Sequence, residues 1–121
     1  MGAAKSFREL LDRYQQGERV FAESELDTDP ESDLSGLCLD GIDLSSSFVI
    51  ANFHGTHLQN SIFRYANVKT CDFTGADLTG ADFSGAALCA TTFSGAKMTG
   101  AKFEGAFYHS HSLKAGEIPD W

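Results

Sequence analysis

Residues 74–103 read TGADLTGADFSGAALCATTFSGAKMTGAKF, and the pattern returns every five residues. On an α-helix a step of five rotates a side chain by about 140° net, so the large apolar residues would circle the whole cylinder. On a straight strand they would alternate between faces. A chain that turns a corner once per repeat keeps them on one side. Corners of about 90° close a square coil of about twenty residues, and glycine suits such corners because many tight turns need φ > 0.

Working outward, the large apolar centres fall at Phe53, Leu58, Phe63, Val68, Phe73, Leu78, Phe83, Leu88, Phe93, Met98, Phe103, Tyr108 and Leu113. Two residues before each centre the side chain is small, with His111 as the departure, and two residues after it glycine is frequent. Four-sided stacking gives the columns Phe53/Phe73/Phe93, Leu58/Leu78/Met98, Phe63/Phe83/Phe103 and Val68/Leu88/Tyr108. Each is nearly uniform in size, whereas a three-sided coil would set Phe on Leu. Uniform aromatic columns favour four sides, because offset stacking stabilises them.

The tower extends backward through Leu34, Leu39 and Leu44. Leu44 to Phe48 is a step of four, which predicts a tightened corner near Ser45–Ser47. Phe21 and Leu26 read as an earlier pair. The polar segment 27–33 contains Pro30 and reads as a loop. The fold class expected is an all-β solenoid, a quadrilateral parallel β-helix of four to five coils.

Open ends of such a stack need covering. Phe7, Leu10, Leu11 and Tyr14 form one helical face, Ser6 and Glu9 have capping-box spacing, and Gly17 suits the position after a helix. The expected organisation is a single domain, 1–121. It comprises a capping helix in 1–17, the coils in 18–115 with the loop at 27–33, and a tail, 116–121, that covers the last coil or meets a partner.

The net charge of −8 is uneven: residues 1–43 hold eleven acids and four bases, and 44–121 hold six acids and five bases. Without a basic stripe, direct nucleic-acid binding is disfavoured. No long apolar run predicts a membrane span or signal peptide, and the short myristoylation-like MGAAKS reads as a chance match. Cys38, Cys71 and Cys89 form no CxxC, so a reducing, cytoplasmic setting is expected.

Chemistry-bearing patterns are sparse. Asp77 and Asp82 lie one repeat apart and read as solvated faces, stacked beside Lys97 and Lys102. His109 and His111, like His54 and His57, are too few for a metal without further ligands. No catalytic, cofactor or metal residue is assigned. The unusual outward residues are Ile62, Tyr65, Ala87, Cys89 and Phe107, joined lower down by Val49 and Ile50. With Trp121 in the tail, they form the candidate interaction surface.

The recurring Ala-(Asp/Asn)-(Leu/Phe)-x-x unit, as in ANFHG from Ala51, ADLTG from Ala76 and ADFSG from Ala81, resembles the pentapeptide-repeat family over roughly residues 13–115. The stretch RYQQGERVF from Arg13 is similar to the leader often seen in bacterial members. The resemblance implies a right-handed quadrilateral β-helix and says much less about activity. One subset resembles duplex DNA and acts on DNA gyrase. The expectation here is a non-enzymatic module that contacts an unidentified protein or forms a homodimer. The alternative is a DNA-mimic regulator of gyrase or another topoisomerase.

Overall fold

The computed structural model describes residues 2–27 and 31–121. The elements are α1 (Phe7–Gln15), β1 (Glu25–Leu26), β2 (Phe48–Val49), β3 (Phe107–Tyr108) and β4 (His111–Ser112). From Val20 to Phe107 the chain makes single parallel bridges, and these run in four columns. The first face carries Val20, Asp43, Ile62, Asp82 and Lys102. The second carries Glu25, Phe48, Asn67, Ala87 and Phe107. The third carries Asp33, Asn52, Asp72 and Thr92, and the fourth Cys38, His57, Asp77 and Lys97. From Asn52↔Asp72 upward, paired residues are twenty apart in sequence, as the five-residue period requires.

Each corner is a β-turn. In one, the Ala86 amide donates to the Phe83 carbonyl at 3.0 Å. The second residue after the centre has φ > 0, the region a type II turn demands there. At Gly85 (φ +70°) that demand is doubled, because a Cβ would lie 2.5 Å from the Tyr65 ring. Thr70 and Ala90 occupy the same position without glycine, at φ 63° and 58°. The aspartates also have local work. The Asp82 carboxylate accepts from the Ser84 amide (2.9 Å) and hydroxyl (2.6 Å), and Asp77 does the same with Thr79.

The core is two facing phenylalanine columns flanked by aliphatic ones. Rings within a column stack at 4.8–5.3 Å, close to the spacing of adjacent strands. Rings from opposite faces meet edge-on at 5.4–6.0 Å and 83–89°. Phe53, Phe63, Phe73 and Phe83 are fully buried, as is Ala81 two residues before a centre.

The register slip lies elsewhere than the sequence reading placed it. Val49 is the buried centre and Phe48 is 36% exposed, facing outward in the second column. Ser45–Ser47 form an ordinary turn, with the Ser47 amide bonded to the Leu44 carbonyl. The short step is Val49 to Phe53, through Ile50 and the buried Ala51. Phe48 and Val49 are both large and apolar, so composition could not separate them. Pairing Val49 with Leu26 and stacking it below Val68 decides it. The tip of the expected 27–33 loop, residues 28–30, lies outside the described residues.

At the N-terminal end Ser6 Oγ accepts from the Glu9 amide, and Gly17 follows the helix at φ +100°. Phe7 and Leu10 are buried, and the Tyr14 hydroxyl donates to the Asp40 carbonyl at 2.7 Å. Arg13 is 7% exposed. Its guanidinium reaches Glu18 at 3.1 Å and the carbonyls of Gly2 and Ala3, and lies 4.8 Å from the Phe21 ring centre. Those acceptors compensate its burial.

The repeat stops one unit earlier than expected. After Tyr108 the chain reverses, and β4 pairs antiparallel with β3. Leu113 is buried, but its amide bonds back to Ala106 rather than continuing the coil. The tail then brings the Trp121 carbonyl to the Phe93 amide at 2.7 Å, the bond that another coil would make. The Trp121 ring lies 4.2 Å from Tyr108. Among the described residues no helix is long and apolar enough to cross a membrane.

Candidate functional site

The corner geometry determines the electrostatics of the acidic residues. The Gln59 side-chain amide, 2.7 Å away, and the Thr79 hydroxyl hold the Asp77 carboxyl down at about 2. At Asp82 burial pushes upward, but the Ser84 hydroxyl and amide and the Arg64 guanidinium outweigh it. Thr74 lowers Asp72 in the same way. A carboxyl held ionised is a poor proton donor at neutral pH.

Asp77 and Asp82 stand beside Lys97 and Lys102 as expected, but their close polar partners are other residues. Asp82 pairs with Arg64 at 2.9 Å, and Asp77 hydrogen-bonds Gln59. Lys97 and Lys102 adjoin these aspartates in the ladder but make no ion pair with them among the described residues. A bridging position points both side chains straight outward, whereas a corner residue one coil lower reaches up and across.

Burial lifts the Cys71 thiol to about 12, which leaves it un-ionised at neutral pH and a weak nucleophile. Cys38 is exposed and Cys89 half-buried. His109 and His111 flank Tyr108, with ring centres 6.0 and 5.4 Å from its own. Among the described residues no group of three or more His, Cys, Asp and Glu could hold a metal.

Among the described residues, clefts near the ends include two. One of about 460 Å³ between helix and coil is lined by Leu11, Tyr14, Arg19, Leu37 and Cys38. Another of about 310 Å³ is lined by Ala90, Tyr108, His109, Asp120 and Trp121. Both are open.

Of the sequence-selected surface residues, Phe107 and Tyr65 are exposed (39% and 65%), and Ile62, Cys89 and Trp121 are half-buried. Ala87 points outward in the ladder yet is only 8% exposed, walled in by Asn67 and Phe107. Val49 belongs to the core, and its outward place is taken by Phe48. Val20, Phe48, Ile50, Tyr65 and Phe107 thus gather on the first and second faces and their corners. The third and fourth faces are mostly polar, with Leu37 exposed between Asp33 and Cys38, and Ile118 is exposed in the tail. Val20 and Phe48 were missed because their outward direction depends on the pairing of distant coils.

The model for pentapeptide repeats matches the chain in eight copies, over residues 51–88 and 71–107. No curated protein matches significantly. Among solved structures, a pentapeptide repeat protein from Nostoc PCC 7120 is 25% identical, covering 93% of this chain and 91% of that one, with a TM-score of 0.52. One from the Arabidopsis thaliana thylakoid lumen is 32% identical over 65% of this chain and 66% of that one, at a TM-score of 0.43. QnrB1, a plasmid-mediated fluoroquinolone resistance protein, is 21% identical over 74% of this chain and 48% of that one, at 0.41. The repeat match and the Nostoc likeness imply a right-handed quadrilateral β-helix, in agreement with the four columns of bridges.

Proposed function

Residues 51–107 place this chain in the pentapeptide-repeat family, and from that premise we propose that it is a non-enzymatic docking rod that binds another protein. The observation that carries the reading is that most of the exposed large apolar side chains, Phe48, Tyr65 and Phe107 foremost, lie on two adjacent faces, while Leu37 and Ile118 lie elsewhere. Patches of that kind on soluble proteins mark contact surfaces. In this reading four to five coils form the rod, α1 caps its first coil, and the tail closes the last. The three unpaired cysteines accord with a reducing, cytoplasmic setting.

The test is affinity capture from a lysate with the wild-type rod and with Phe107→Glu. A specific protein retained by the first and lost by the second supports the reading. Capture of nothing, or equal capture by both, refutes it.

A second reading, a DNA-mimic regulator of gyrase or another topoisomerase, is favoured by one feature. Asp33, Asp72 and Asp77 on the adjacent third and fourth faces have carboxyls held below the ordinary range. Lys97, in the Asp77 column, interrupts the acidic run. A supercoiling assay with micromolar rod decides it: unchanged gyrase activity removes this reading.

A further inference from the structure

We propose that the second face binds the same face of a second copy, with the two rods antiparallel and the two-fold axis passing at Ala87; this rests on the docking-rod reading above. The column on this face, from bottom to top, is Glu25, Phe48, Asn67, Ala87, Phe107 and then Ser112, which β4 adds by pairing with Phe107, and the five levels above Glu25 take part. Reversing the column about Ala87 sets Phe48 against Ser112, Asn67 against Phe107, and Ala87 against itself. Each bulky residue then meets a smaller one, and the two backbones approach most closely at the axis.

The corners agree with that register. The corner between the first and second faces carries Arg64 and Tyr65 one level below Ala87, and Glu104 and Gly105 one level above. Reversal about Ala87 brings Arg64 to Glu104 of the second copy, twice by symmetry, and Tyr65 over Gly105. Glu104 is exposed and has no partner among the described residues, and Arg64 keeps donors free beyond the one it gives Asp82. A parallel pairing would instead bring Arg64 against Lys69, which like charge disfavours. Antiparallel rods also hold the acid-rich N-terminal thirds, with eleven acids and four bases in residues 1–43, at opposite ends.

Five levels at about 4.8 Å make a contact roughly 24 Å long on one narrow face. A single face of that length buries little area, so the dimer is weak and forms at high protein concentration.

The experiment uses the full chain with Cys38→Ser. Cys71 is buried with its thiol lifted to about 12, so Cys89, at the level of the axis, is the one ready thiol. The probe is a short bis-maleimide, applied across a concentration series and read together with sedimentation mass. Expected are a Cys89-linked dimer and a roughly ten-fold lower linked fraction for Arg64→Glu or Glu104→Arg alone, since the pair occurs twice. The double reversal restores it. Arg64→Glu also breaks the bridge to Asp82, and the double variant does not repair that bridge, so rescue reports the intermolecular pair. A monomer at millimolar concentration, or a dimer indifferent to all three variants, overturns the inference. The lysate capture with Phe107→Glu, run at low concentration, stands or falls separately.

Discussion

Replacing Phe83 by alanine tests the double phenylalanine column directly. Phe83 is fully buried and meets four rings: Phe63 and Phe103 stacked at 4.8 and 5.0 Å, Phe73 and Phe93 edge-on at 5.4 and 5.8 Å. Truncating a buried phenylalanine costs about 3–5 kcal/mol. Ring pairs contribute about 0.5–1.5 kcal/mol each beyond area, which puts Phe83→Ala at the upper end, near 5 kcal/mol. Phe103 is as deeply buried but meets only Phe83 and Phe93, at 5.0 and 5.6 Å. Phe103→Ala is therefore expected to cost about 3 kcal/mol. Phe83→Leu keeps most of the volume but loses the four ring contacts, which at about 0.5 kcal/mol each comes to about 2 kcal/mol. Urea unfolding followed by circular dichroism, with Trp121 fluorescence as an end-of-rod reporter, measures all three. Coincident transitions check that the rod unfolds as one unit. Equal losses at 83 and 103, or a loss at Phe83 no larger than the roughly 0.5 kcal/mol expected for exposed Lys102→Ala, would refute the column.

Ser61 occupies a small-residue position, and its hydroxyl is buried without a partner among the described residues. Ser61→Ala should raise stability by about 1 kcal/mol, seen as a higher urea midpoint. Ala90, at φ 58°, sits where other corners use glycine, so Ala90→Gly should be neutral to about 1 kcal/mol stabilising by thermal melt. Gly85→Ala should destabilise by about 2 kcal/mol, since the added Cβ meets both the positive φ and the Tyr65 ring. Asp72, Asp77 and Asp82 all have folded carboxyls below the ordinary range, Asp77 down at about 2. Their contribution is fully present above about pH 4 and is lost as pH falls through the folded values. Melting temperature should hold from pH 6 to about 4.5 and drop toward pH 2, with a shallower drop in Asp77→Asn.

The chain's own pattern determined the architecture: a period that suits neither helix nor strand, uniform residues at twenty-residue spacing, and glycine where turns need φ > 0. These signals are local, so they survive in one dimension. The helix was equally legible, because Ser6 and Glu9 act within one turn of each other and Gly17 acts directly after the helix's own end. Only the tertiary structure decided which of Phe48 and Val49 faces inward, that Arg64 rather than Lys102 meets Asp82, and that Trp121 takes the place of a missing coil. Each of these turns on contacts between residues 18 to 28 apart in sequence. At such separations one inserted or deleted corner residue changes every partner beyond it, and only closure of the coils reveals where that residue went.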